Sequence, residues 1–221
     1  MLTVNFPTSL PSAYARGSGM ALLLGGILGA AAHLLHPGVP GTPQETAVYT
    51  ARTVPVHTAL LLASMLVLFG LPAWYMRRSG GLTRMGWLSL PLLFFGILLT
   101  ETLHCLLEIS VLPGMYAGVT TPEEIRAVNA AIGRMYAGGP GPFLFIPGTL
   151  MAIAGALTAF LAIRRIPRFP QTAAVLLLLY PVCGLLRTVF HASSLYGFPA
   201  LLYAALAFLG WSLLKPGSAY P

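Results

Sequence analysis

Six apolar stretches, each near twenty residues long, limit what this chain can fold into. They run roughly over 18–36, 56–76, 85–109, 142–163, 171–193 and 198–214. About 20 residues of helix cross the ~30 Å hydrocarbon core of a bilayer. Lipid offers no partner to a backbone N–H or C=O, so such segments must be helices that satisfy those groups internally. Charge points the same way. Only 8% of the 221 residues are Asp, Glu, Lys or Arg, and 57% are hydrophobic, whereas a soluble domain carries about 25% charged residues. The expected fold class is therefore all-α, a polytopic membrane bundle of six transmembrane helices. Nothing resembles a linker, so residues 1–221 read as a single transmembrane domain. The apolar run after Arg16, ending in "GAAAH", imitates a signal peptide but reads as the first membrane helix.

The net charge of +7 would suit nucleic acid, but the basic residues sort by membrane side, so no nucleic-acid partner is expected. With the N-terminus inside, the inner side holds Arg16, Arg77, Arg78, Arg84, Arg164, Arg165, Arg168 and Lys215 and no acid. The outer side holds Arg52, Arg126, Arg134 and Arg187 against Glu45, Glu101, Glu108, Glu123 and Glu124. This bias predicts that both termini are cytoplasmic. Trp74, Trp87 and Trp211 fall near inner helix ends, as an aromatic belt would place them. Pro55 and Pro142 suit first helical turns; Pro91, Pro147 and Pro181 lie inside spans and should bend them.

The long outer loop, 110–141, contains "TPEEIRAVNAAIGRMY". Thr121, Pro122 and Glu124 make a capping-box start, and Ile125, Val128, Ile132 and Met135 recur at helical spacing. A short amphipathic helix is predicted between membrane helices 3 and 4. The turns of hairpins 2–3 and 4–5 each carry an Arg pair, 87 residues apart, and the same offset carries His104 onto His191. The two histidines should then sit at equal depth on pseudo-equivalent helices. Repeat interfaces are where many membrane proteins place their site.

All five histidines, His33, His36, His57, His104 and His191, fall in the outer third, as do Glu101, Glu108 and Arg187. In "TETLHCLLE" the residues Glu101, His104 and Glu108 share one helix face, which should point into the bundle because Leu103, Leu106 and Leu107 cover the other. Glu-x-x-His is the spacing of carboxylate di-iron bundles, but the equivalent place on span 5 offers Thr188 and His191 with Arg187 beside them. Two imidazoles from different helices can clamp a haem iron, or bind a transition metal ion directly. The first-choice ligands are His104 and His191, with His57 next, Glu101 as a further metal ligand, and Glu108 and Arg187 supporting. His33 and His36, in "HLLHPG", read as interfacial residues reaching water. Arg187 with Glu101 or Glu108 reads as a structural ion pair, and Cys105 and Cys183 as packing residues. No HExxH, GxSxG, CxxC or phosphate loop occurs.

The run from His57 to Pro113 has a histidine opening span 2, "LFGLPAWY" closing it, a basic turn, and a span 3 ending in glutamate and "VLP". In this it resembles a diffuse group of uncharacterised bacterial six-helix integral membrane proteins. The resemblance implies six spans and a bacterial cytoplasmic (inner) membrane location, and no activity. A fainter likeness to haem-bearing oxidase-like membrane proteins supplies no residue assignments.

Three functions fit these residues. The first is a protein binding haem or a metal ion between helices in the outer half of the membrane, in electron transfer with a membrane quinone as partner. The second is a non-catalytic accessory subunit of a larger membrane complex, with other membrane subunits as partners. The third is a small transporter or metal-dependent membrane enzyme.

Overall fold

The computed structural model describes residues 11–138, 141–166, 171–190 and 197–215. Those residues are helical and contain no strand. Helix α1 is Ser12–Leu34 and α2 is Pro43–Arg77. The next run is composite: α3 (Arg84–Ile97), a π-helical turn (Leu98–Thr102), α4 (Leu103–Ser110) and the short α5 (Leu112–Met115). Then come α6 (Pro122–Ala137), α7 (Gly141–Ile163), α8 (Gln171–Phe190) and α9 (Ala200–Leu214).

Five of these units are long and apolar enough to cross a membrane: α1, α2, the run Arg84–Met115, α7 and α8. Helix α9 is apolar throughout but has 15 residues, about 22 Å of helix by the usual rise. The outward faces are strongly apolar. Leu24, Phe69, Leu150, Leu185 and Phe190 are each at least half exposed. A soluble surface does not tolerate so much contiguous apolar area, whereas hydrocarbon does.

The helices close into a ring. α1 packs on α2, α2 on the Arg84–Met115 run, α3 on α7, α7 on α8, α8 on α9, and α9 returns to α1. Burial of apolar area against lipid gains little, so helices associate in membranes by close backbone approach and by interhelical hydrogen bonds. Both devices are present. A Cβ on Gly26 would lie 2.6 Å from the Tyr203 carbonyl oxygen, and one on Gly96 would lie 2.7 Å from the Ala152 Cα. The α1–α9 and α3–α7 contacts therefore require glycine at these positions. In the interior Ser64 and Tyr203 hydroxyls meet at 2.7 Å, Trp74 Nε1 donates to Ser212 at 3.1 Å, and Tyr75 and Ser89 meet at 2.6 Å.

Several sequence expectations change here. Pro43, not Pro55, opens α2, and Pro55 lies inside the helix. The extra turns exist because Tyr49 is buried among Leu112, Tyr116, Ile125 and Ile132, an apolar cluster shared by α2, α5 and α6. Tertiary packing thus extends a helix whose sequence there is polar. Trp74 is 1% exposed; it is a core residue bonded to α9 rather than a member of an aromatic belt. Helix α1 ends before His36, which leaves that residue in the link to α2.

Helix α6 starts as its sequence directs. The Thr121 side chain accepts from the Glu124 N–H, and Glu124 accepts in return from the Thr121 N–H. The bonds from the backbone N–H groups of Thr120 and Thr121 hold the Glu124 carboxyl below the usual carboxylate range. Asn129 ties α6 to the α1–α2 link by donating to the Pro40 carbonyl at 2.9 Å.

Candidate metal centre

Three imidazoles from separate places in the sequence converge at one end of the ring. His36 comes from the α1–α2 link, His57 from the fourth turn of α2, and His104 from the start of α4. One ring nitrogen from each lies within 4.8 Å of the other two. The rings touch: centroids are 4.7 Å apart for His36 and His57, 5.2 Å for His57 and His104, and 5.9 Å for His36 and His104.

Hydrogen bonds assign the tautomers. His57 Nδ1 is 2.8 Å from the Thr53 carbonyl oxygen, one helical turn back. A carbonyl can only accept, so Nδ1 carries the proton of neutral His57 and Nε2 presents a lone pair. His36 Nδ1 is 2.9 Å from the Pro37 carbonyl oxygen, and the same logic leaves its Nε2 unprotonated. The two Nε2 atoms face each other at 2.9 Å. Two neutral rings held this way point lone pair at lone pair. The arrangement repels unless something electropositive stands between or beside them. Nδ1–H bonded to a backbone carbonyl, with Nε2 turned inward, is also how metal-binding imidazoles are usually oriented.

His104 brings a carboxylate. Its Nε2 is 4.0 Å from Glu108 Oε1, one turn on. Glu108 is buried and accepts from the Tyr49 hydroxyl at 2.9 Å and the Tyr136 hydroxyl at 3.4 Å. The Tyr136 hydroxyl is also 3.3 Å from His104 Nδ1. Burial, and then the Glu108 charge, push the Tyr136 phenol above its usual range, so it stays a donor. Helix α6 thus supplies the side chain that covers the centre.

A cavity of about 470 Å³ opens beside the cluster. Its polar wall includes His33, His36, Glu101, His104, Glu108 and Arg187, and Val39, Leu112, Phe145 and Phe198 supply apolar wall. That size falls within the range of small-molecule sites. The Arg187 guanidinium carbon lies 5.9 Å above the Phe198 ring. Glu101 sits in the π-helical turn, its Oε2 3.5 Å from His33 Nε2.

Of the residues the sequence singles out, His57 and His104 meet, with Glu108 behind His104. Glu101 and Arg187 line the same cavity, but Glu101 lies with His33 rather than in the three-histidine group. His191 lies outside the described residues, so its pairing with His104 does too. His33, read from its sequence context as an interfacial residue reaching water, is buried; His36, read the same way, is half-buried and is one of the three converging rings. The signal for it is "HLLHPG": a helix that ends at Leu34 just before a proline can fold the next residues back over the bundle. Tyr49 and Tyr136 carry no signal of their own, because their role depends on α6 docking against α2. No family model, curated protein or solved structure matches the chain.

Proposed function

We propose that this is a multi-pass membrane protein that binds a transition-metal ion through His36, His57 and His104. The observation that carries the reading is the 2.9 Å approach of two Nε2 atoms whose Nδ1 atoms both donate to backbone carbonyls. Two nitrogens on a tetrahedral ion with bonds of about 2.0–2.1 Å are about 3.4 Å apart, so the rings need only a small separation to accept one. An all-imidazole set suits zinc, copper or iron. Three protein ligands beside a cavity leave a position for water or substrate, the pattern of a reactive rather than purely structural site. A bare ion is favoured over haem, because imidazoles in contact leave no gap for a porphyrin plate between them.

The bundle in this reading has six crossings, with α9 as the sixth, both termini in the cytoplasm, and α6 and the metal centre at the outer side of a bacterial inner membrane. The charge bias of the loops supports that orientation. Cysteine labelling in intact cells tests it: Ala127→Cys should react with an impermeant reagent, and Gly80→Cys only after permeabilisation. The reverse pattern would invert the topology.

The metal reading is tested by metal analysis and absorption spectroscopy of protein purified in mild detergent after growth with zinc, copper and iron supplied. We expect stoichiometric metal, lost in His57→Ala and His104→Ala. Metal-free wild type would overturn the reading and favour a structural polar layer in a subunit of a larger membrane complex.

A further inference from the structure

His33 and Glu101 stand apart from the three histidines and their partners, and their geometry is not that of a resting pair. His33 is 8% exposed, and its Nε2 has no hydrogen-bond partner among the described residues. The nearest carboxylate oxygen is Glu101 Oε2, 3.5 Å away. That gap lies at the outer limit of a hydrogen bond. It matches the separation of two ligands on one ion, since nitrogen and carboxylate oxygen at about 2.0–2.2 Å in tetrahedral geometry stand about 3.3–3.5 Å apart. Burying an imidazole nitrogen without a partner is costly, and both groups line the cavity that His36 and His104 also face. Glu101 reaches α1 from within a π-helical turn, an irregularity that frequently marks a functional position.

We propose that His33 and Glu101 are the protein ligands of a second divalent transition-metal ion, beside the three-histidine site and facing the same cavity. The proposal rests on the metal reading of that first site. The donors differ: three imidazoles on one side, one imidazole and one carboxylate with cavity water on the other. Charge sets the order of filling. Glu101 and Glu108 bring two negative charges to the cavity wall and Arg187 one positive, so one divalent ion already leaves a net positive charge. A second adds two positive charges that no further carboxylate of the described cavity wall meets, so an oxyanion or hydroxide must enter with it. The second equivalent therefore binds more weakly than the first and tightens when inorganic phosphate is added.

The test is metal stoichiometry of full-length, metal-stripped protein in detergent, titrated with Zn²⁺, and electron paramagnetic resonance after titration with Mn²⁺. We expect two zinc equivalents in wild type and one in both Glu101→Gln and His33→Gln, with the tighter equivalent retained. A spin-coupled manganese signal should appear in wild type between one and two equivalents. This readout does not depend on how the variants fold. One equivalent in wild type, lost in His57→Ala and kept in Glu101→Gln, would overturn the second site and leave the first standing. Two equivalents unaffected by either substitution, or no coupled signal at two manganese equivalents, would also overturn it. No metal at all would overturn both sites.

Discussion

Three side chains with unlike sequence surroundings form the centre, and each is aimed by a bond to its own neighbourhood. His57 is aimed by the carbonyl one turn back, His36 by the carbonyl of the next residue, and His104 by Tyr136 and Glu108. Such supporting groups commonly matter 10–100-fold in metal affinity. Glu108→Gln is therefore expected to weaken the first metal equivalent by about that factor without abolishing it, measured by competition with a chromophoric chelator. An unchanged affinity would remove Glu108 from the centre. Acid should release the metal, because a protonated imidazole has no lone pair to give. Occupancy is full where the three rings are neutral and falls as acid protonates them. Occupancy measured from pH 8 to pH 5 checks the sign.

At the scale of elements, two local devices position these residues. The first is the π-helical turn Leu98–Thr102, which holds one residue more than an α-helical turn would. Deleting Leu99 should restore α-helical hydrogen bonding and remove the wide turn that carries Glu101 toward His33. His104 and Glu108, which lie beyond the turn, would keep their register on α4. The expected result is loss of the weaker metal equivalent, with the tighter one and the helical content by circular dichroism retained. The second device is the capping box of α6. Thr121→Ala should cost about 1 kcal/mol locally and expose α6 to limited proteolysis sooner than in wild type. Glu124 adds a pH dependence to that helix. Its carboxyl is held below its usual value by the backbone N–H groups of Thr120 and Thr121. Its support is present above the unfolded carboxylate range near pH ~4.3 and is lost as pH falls through the folded value. Proteolysis of α6 should accelerate in acid, and a flat profile would count against the box.

At the scale of the whole molecule, a ring of helices gathers His33, His36, His57, His104, Glu101 and Glu108 at one end. The ring depends on close backbone contacts at Gly26 and Gly96. Gly96→Val would drive a side chain into the backbone of α7 at Ala152. It should destabilise the bundle by at least the roughly 1–3 kcal/mol typical of overpacking, read as a lower unfolding midpoint in detergent. The membrane character, the helical class, the start of α6 and the concentration of histidine and glutamate at one end were all legible in the sequence. Hydropathy, capping residues and charge are local quantities, so a linear pattern encodes them. The partners within that end were not legible. The α1–α2 link brings His36 onto His57, Tyr49 extends α2 by docking under α6, and the π-helical turn hands Glu101 to His33. Each of these depends on how segments far apart in the chain pack, and the 2.9 Å contact between two nitrogens 21 residues apart exists only once they do.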